Sequence, residues 1–442
     1  LPESCSFARQ KPHIAVVLLS VFLAKPQRFL VRPAPGWLDV AGKEVREIIR
    51  SPVQKYKFAP IVTDEDGLIV VSDCDYRQAL EIVCRVTTVH DVEWVIHSGR
   101  ITARSEWASF FEKSGVGQLW SDVAQQQVKL AASVSHPIVG TEKEIKELAQ
   151  ATWPQFKANE HDDSEELEIQ SLQRIRIEAS KNRHRILVSM GGEPLFKRGY
   201  KITGLSAVAP LPEHHASACF LWATSVLQGW SLNDLRDLGC AFVTPFAGTG
   251  TTCFESLARL FDVAPALTRQ QFACENFAFH PAATMATIRQ RLRRHVQSPK
   301  GQCCAVLGDI NDEVVTSLNQ QSESFLRACG VSISSSIMTN DFLERPLELT
   351  KALDDVPRLF FPLNPPFGQR LAKSTGSDAI YRKLGRALEL CATKYHFAGY
   401  VLCPDESSWR HLLASAVSLN AETHHFTHGG TDMRVVAFSS RN

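Results

Sequence analysis

The chain has 442 residues, 44% hydrophobic and 21% charged, with a formal net charge of +1. That length exceeds one ordinary globular domain, so two or three cores are expected. The balanced charge excludes a chain that grips polyanions by overall basicity, leaving any such contact to local patches. The 12 cysteines are scattered with no C-x-x-C pair, which argues against zinc ribbons and a secreted disulfide framework; no metal is expected. No apolar run reaches the ~18 residues of a membrane span, so no membrane partner is expected.

Taken in chain order, residues 1–29 read as an N-terminal extension. Arg9, Lys11, Lys25 and Arg28, with Arg32 just beyond, stand against Glu3 alone. That acid-poor pattern points to a mitochondrial targeting remnant, the alternative being an extension docked on its own domain in the cytoplasm. Residues 37–50 read as a helix with Trp37, Leu38, Val45, Ile48 and Ile49 on its apolar face. Strands follow at 61–63 and 68–71 around the turn-forming Asp64-Glu65-Asp66-Gly67. Helices are expected across 74–87, 105–113 and 141–153. The run 159–168 packs six acids into ten residues and reads as a solvated linker-like loop. Two alternating runs, 174–178 and 185–189, then flank the polar turn Lys181-Asn182-Arg183-His184 and predict a hairpin. The first half is thus mixed α+β. Around the hairpin, Arg174, Arg176, Lys181, Arg183, Arg185, Lys197, Arg198 and Lys201 form the one local basic patch of this half. Such residues suit phosphate contacts, though a solvated strand face fits the same charges.

From 236 onward, short apolar strands alternate with longer helices: 240–245, 252–261, 276–296, 303–309, 312–329, 333–339, 358–363, 377–393 and 397–403. Alternation of that kind predicts a parallel sheet flanked by helices, with ligands beyond the C-terminal strand ends. Two motifs fall at such ends. Thr244-Pro245-Phe246-Ala247-Gly248-Thr249-Gly250-Thr251 follows a strand and opens a helix. Its small residues let a ligand approach the backbone, and the helix start offers free N–H groups. The Gly-Lys-Ser/Thr ending of a P-loop is absent. Farther on, Asn364-Pro365-Pro366-Phe367 ends another strand. The prolines stiffen the backbone so that the Asn364 amide and a neighbouring carbonyl can both present acceptors. Two fixed acceptors on an exocyclic amine of a base free its nitrogen lone pair for attack on a sulfonium methyl, and Phe367 offers a stacking face. Between these motifs, Asp309-Ile310 sits where a carboxylate meets ribose hydroxyls, and Asn340-Asp341 where an acid reaches an adenine amine.

With those residues in place, the chain resembles the THUMP-domain guanine-N2 RNA methyltransferases of bacterial large-subunit rRNA and their tRNA-modifying relatives. Gly191-Gly192-Glu193-Pro194-Leu195-Phe196-Lys197-Arg198-Gly199-Tyr200-Lys201 is similar to the family's S-G-E-P-L-H-R-R-G-Y-R, and Ala209-Pro210-Leu211-Pro212-Glu213 to its A-P-L-K-E. The loop from Pro245 to Thr251 resembles its P-M/F-C/A-G-S-G-T, Asn364 to Gly368 its N-P-P-Y-G, and His428-Gly429-Gly430 stands at its late N-G. The resemblance implies an α/β chain: a ferredoxin-like plus THUMP module that grips RNA, residues 30–202, then a Rossmann-like S-adenosylmethionine-dependent methyltransferase domain, residues 203–442. It implies donor binding along the 244–251 loop with Asp309, Ile310, Asn340 and Asp341, and handling of a guanine amine by Asn364, Pro365, Pro366 and Phe367. The expected product is N2-methylguanosine in rRNA or a pre-ribosomal particle, with ribosome-assembly proteins as partners. Thr244 stands where the family has Asp, Phe367 replaces Tyr, Asn311 a second acid and Pro212 a lysine. Thr244 therefore keeps open a catalytically impaired RNA-binding assembly factor, and N6-adenine chemistry shares the N-P-P-F motif. His424, His425 and His428 alternate along a last strand pair, which argues against a shared ion. Arg289, Arg291, Arg293 and Arg294 suit a solvated helix face, and Glu275 a structural cap.

Overall fold

A computed structural model describes residues 26–52, 56, 58–120, 128–135, 139–154, 156, 173–202, 211–281, 283–353, 356, 358–366 and 377–441. The acidic run 159–168 and residues 1–25 lie outside the described residues. Contacts divide the chain into two units that are not contiguous in sequence. The first comprises Leu1–Arg32, Gly42–Leu195 and Gln270–Gln290; the second comprises Pro33–Ala41, Phe196–Arg269 and Arg291–Asn442.

The first half of the chain runs β1 (Gln27–Pro33), α1 (Leu38–Arg50), β2 (Ile61–Glu65), β3 (Leu68–Cys74), α2 (Tyr76–Arg85), β4 (Val89–Gly99), α3 (Trp107–Ser114), β5 (Val128–Val134), α4 (Glu142–Thr152), β6 (Gln173–Ala179) and β7 (His184–Ser189). Its strands form one seven-stranded sheet in the order β2-β3-β1-β4-β7-β6-β5. Alternation explains β6: Ile175 and Ile177 are buried, while Arg174, Arg176 and Glu178 take the other face and stay half-buried. Capping boxes fix two helix starts, Asp75 with Gln78 on α2 and Thr141 with Glu144 on α4.

Three strands escape the sequence reading. β4 is central, so Asp91 and Glu93 are buried along with Val92 and Trp94, and a bulge between Val95 and His97 breaks its period. β5 was not anticipated, and β1 begins inside the stretch read as an extension. Phe29, Leu30 and Val31 are fully buried there. Arg28 pairs with Glu65 at 2.7 Å and Arg32 pairs with Glu93 and Glu178, so these two arginines belong to the sheet.

The second half runs α5 (Glu213–Val226), α6 (Leu232–Leu238), β8 (Cys240–Thr244), α7 (Thr251–Leu260), α8 (Thr284–His295), β9 (Cys303–Asp309), α9 (Asp312–Cys329), β10 (Ser334–Thr339), α10 (Pro346–Thr350), β11 (Arg358–Leu363), α11 (Ser377–Ala392), β12 (His396–Cys403), α12 (Glu406–Ala414), β13 (Leu419–His428) and β14 (Thr431–Ser440). The helix expected across 276–296 is shorter. A 3-10 turn covers Ala273–Asn276, and the helix starts only after Pro281, whose ring and missing N–H interrupt a continuous helix. The sheet order is β10-β9-β8-β11-β12-β14-β13. The first five of these strands are parallel and β14 runs antiparallel to both its neighbours, β12 and β13, so the sheet is mixed and not wholly parallel. Phe242 and Phe360 pack on one face with Phe220 and Phe254, while Val243 and Phe361 pack on the other with Tyr381 and Phe397. Both faces are therefore core, and only strand ends remain for chemistry. Strand order reverses between β8 and β11, which opens a crevice at their C-terminal ends.

Candidate active site

β8 ends at Thr244 and loop 245–250 turns the chain into α7. Gly250 caps that helix at φ +77°, and a Cβ there would meet the Phe254 ring at 2.2 Å. Only glycine fits. Gly248, at φ +52°, faces open space. The loop is clamped to the next strand, with Ala247 N–H donating to the Gly308 carbonyl at 2.9 Å and Gly250 N–H to the Ala247 carbonyl at 2.7 Å.

Asp309 ends β9 half-buried. Its carboxylate accepts from Gly248 N–H at 3.0 Å and from Asn311 N–H at 3.2 Å, and its carbonyl accepts from Asn340 N–H at 3.0 Å. Two backbone donors thus fix its orientation, and a carboxylate retains lone pairs for further donors. The following Ile310 is 69% exposed, an apolar surface beside a fixed acid. Asn311 caps α9, its Oδ1 accepting from Glu313 N–H at 2.8 Å. Beyond β10, Asp341 accepts from Leu343 N–H at 3.1 Å, and the buried Asn340 has an Oδ1 with no partner among the described residues. Phe342, which the sequence reading did not single out, packs its ring 6.2 Å from Phe246 and 6.1 Å from Phe361.

β11, the neighbour of β8, ends at Leu363 and delivers Asn364, Pro365 and Pro366. Asn364 is half-buried, and its Oδ1 is occluded without a hydrogen-bond partner among the described residues. Leaving such an acceptor unmade costs about 1–3 kcal/mol, so it marks a site with a use for it. Phe367 lies outside the described residues.

Two groups of expected site residues are corrected. Thr244 is fully buried beside the Cys253 thiol, so its side chain lines no ligand surface. The basic residues do not form one open patch. On the first sheet, Arg176 donates to Glu93 at 2.8 Å, Arg183 bridges Glu65 and Asp66, and the buried Arg185 lies 3.9 Å from Glu178. In the second unit, the buried Arg198 faces Glu255 at 3.6 Å, Tyr200 donates to Glu255 at 2.9 Å, and Lys201 pairs with Glu213 at 3.1 Å. Burial holds the Glu255 carboxyl above its ordinary range, against the pull of Arg198. Glu65, Asp66, Glu93 and Glu255 are remote in sequence from the arginines they meet, which is why charge counting missed them. Lys181 and Lys197 are exposed, and Arg174 is half-buried with an Nε that has no partner among the described residues.

The histidines near the chain end pack on aromatic rings. His424 stacks on Trp37 at 4.6 Å and its Nε2 lies 2.7 Å from the Gly36 carbonyl, while Trp37 Nε1 donates to His215 Nδ1 at 3.1 Å. Burial, with His428 nearby, holds His215 down at about 3. Arg289 pairs with Glu275 at 2.9 Å, and Glu275 also caps its own turn through Phe272 N–H.

A mixed sheet of this order, with a glycine loop, an oriented acid and an unpaired amide at adjoining strand ends, defines a Rossmann-like fold. The chain matches a predicted N6-adenine-specific DNA methylase from Listeria monocytogenes with a TM-score of 0.68 at 17% identity, covering 94% of this chain and 97% of that one. It matches SMU.472 in complex with SAH at 0.67 and 17%, covering 95% and 99%. TrmN from Thermus thermophilus matches at 0.55 and 15%, covering 94% and 99%. By sequence the chain is similar to ribosomal RNA large subunit methyltransferase K/L. It is 27% identical to that of Shewanella frigidimarina over 257 residues, covering 56% of this chain and 31% of the relative. To that of Legionella pneumophila strain Philadelphia 1 it is 26% identical over 243 residues, covering 54% and 30%. The matched region thus spans less than a third of these relatives' length. No protein-family model matches the chain.

Proposed function

We propose that the chain is an S-adenosylmethionine-dependent methyltransferase that transfers a methyl group to the N2 amine of a guanosine in rRNA. The observation that carries this reading is Asn364 Oδ1, a buried acceptor left open at the end of β11, beside the strand that feeds the glycine loop. The donor, when bound, supplies an electrophilic methyl on sulfur. The residues present fit it. Asp309, already oriented by Gly248 N–H, has capacity for ribose hydroxyls, Ile310 offers an exposed apolar side chain for a base, and Gly248 leaves room for close approach. Asn364 accepts an N–H of the target amine and favours the pyramidal nitrogen whose lone pair attacks, and the buried Pro365 and adjacent Pro366 hold that amide in place.

The rRNA relatives support an RNA target, and the mixed α+β first unit supports a THUMP-like module that holds it. Guanine-N2 specificity rests on the sequence resemblance. One observation favours a second reading: Thr244 is buried where an acid would help hold the donor, as in an assembly factor that keeps the fold and RNA binding without catalysis. Calorimetry of the full chain with S-adenosylmethionine, followed by transfer of labelled methyl into large-subunit rRNA, separates the two. Donor heat with label recovered in N2-methylguanosine is expected. RNA binding without donor heat leaves the second reading, and label in adenine moves the target to N6.

A further inference from the structure

At the opposite end of the same sheet, Cys240 opens β8 and Cys303 opens β9, directly in register on parallel strands. Register partners on neighbouring strands project to the same face and stand about 4.8 Å apart, inside the ~4.4–6.8 Å Cα range of a disulfide. The strand entrances cannot drift apart easily. A Cβ on Gly239 would fall 2.3 Å from the Gln302 carbonyl, and one on Gly301 would fall 2.1 Å from Gly239 N, so the two backbones touch through glycines. Beside the Cys240 thiol, Cys303 is lowered to about 7, while burial pushes Cys240 up. On the strand beyond, Arg358 begins β11 next to β8, and its Nε and Nη1 have no partner among the described residues. Access singles out one sulfur. Among the described cysteines only Cys303 and Cys304 are not fully buried, and Cys304 projects to the other face of the sheet.

We propose that Cys303 and Cys240 form a redox-active dithiol that peroxide closes to a reversible disulfide. The Cys303 thiolate attacks one oxygen of hydrogen peroxide, the O–O bond breaks, and a sulfenic acid forms with release of hydroxide. The Cys240 sulfur then attacks Cys303 Sγ and expels the second hydroxide, and the protons of the two thiols turn both hydroxides into water. Two thiols are oxidised by two electrons and one peroxide is reduced to two waters. The staple joins the starts of the two strands whose far ends carry the glycine loop and Asp309. It needs no part of the methyl-transfer reading to be true.

The test exposes the full chain to hydrogen peroxide, blocks remaining thiols with an alkylating reagent, digests it and maps peptides by mass spectrometry. The expected result is a peptide carrying Cys240 to peptide carrying Cys303 cross-link that reductant removes. Cys240→Ser should leave a Cys303 sulfenic acid that dimedone traps, and Cys303→Ser should leave Cys240 reduced. Cys303 advancing to sulfinic acid in the unaltered chain without a cross-link overturns the proposal, as does Cys304 oxidising while Cys303 remains alkylatable. The unaltered chain supplies the deciding measurement even if either variant folds poorly.

Discussion

The polar face of the first sheet and the C-terminal edge of the second both carry hydrogen-bonding groups that the fold leaves unmade, but of opposite kinds. On the first sheet they are donors, Arg174 Nε and Arg185 Nη1, set among arginines largely neutralised by Glu93, Glu178 and Glu65. At the strand ends of the second they are the acceptors Asn340 Oδ1 and Asn364 Oδ1, with the Thr244 hydroxyl buried behind them. Spare donors among paired charges suit a surface that meets anions weakly. Spare acceptors in a stiff, proline-bounded turn suit a site that takes amine hydrogens. Charge counts in sequence pointed to the first region more loudly; unmade hydrogen bonds point to the second.

The comparison can be broken at several places. Arg198→Ala should destabilise the second unit by about 3–5 kcal/mol in urea unfolding, because Glu255 would be left buried without its cation. A loss of RNA affinity with unchanged stability would instead return Arg198 to the nucleic-acid surface. Asn364→Ala should lower methyl transfer by about 100- to 1000-fold while donor affinity in calorimetry stays as it was. Asp309→Ala should do the reverse first, weakening donor binding by about 10- to 100-fold.

A pH series sharpens the contrast further. In the second unit, His215 is held at about 3 by burial and then by His428, against an ordinary value near 6.5. Between those values the unfolded chain carries a proton that the folded one refuses. Stability is therefore whole above about pH 6.5 and falls on acidification toward 3, by about 1.4 kcal/mol per pH unit while the mismatch is one proton. In the first unit, His90 is lowered to about 4 by burial and neighbouring arginines and acts in the same sense. Its neighbour Asp91 is raised by burial and Glu93, so its contribution is present at low pH and lost as pH rises toward the folded value. Those two offset each other. Unfolding in urea from pH 7 to 4 should show His215→Gln flattening the acid slope, and His90→Phe flattening it as well, because the opposing contribution of Asp91 is then left alone. The smallest effect belongs to Lys181→Ala, which should weaken RNA binding by less than about 1 kcal/mol and lower the salt slope by about 1.

How much could be read beforehand follows the physics of each element. The glycine loop, Asp309 and the Asn364 turn were legible because each needs particular residue types within a few positions, and the structure brings all of them to neighbouring strand ends. β6 was legible because one face is buried and the other only half-buried, whereas β7 is buried throughout and was legible only through the polar turn that joins it to β6. β4 was opaque because a central strand buries both faces, so Asp91 and Glu93 carry no outward mark. Ion pairs such as Arg32 with Glu178 were invisible because sequence gives charges without partners. Thr244 was read by analogy as part of the donor site, and burial of its side chain corrects that.

The interleaving of the chain has a consequence for how the protein is made. Phe277 is 3% exposed, with its ring 5.8 Å from Trp120 and 6.3 Å from Trp94, and Ala273 N–H donates to the Gly191 carbonyl at 3.2 Å. A ribosome that has released the first two hundred residues has therefore not yet released everything their core requires. Until the 270–290 stretch emerges, Trp94 and Trp120 lack the Phe277 ring that packs near both, although Phe29 and Tyr76 already flank Trp94 and Phe156 already flanks Trp120. For the same reason a gene cut after the hairpin would yield a fragment with an unfinished interior, so the first unit cannot be transplanted as a cassette that ends at the hairpin.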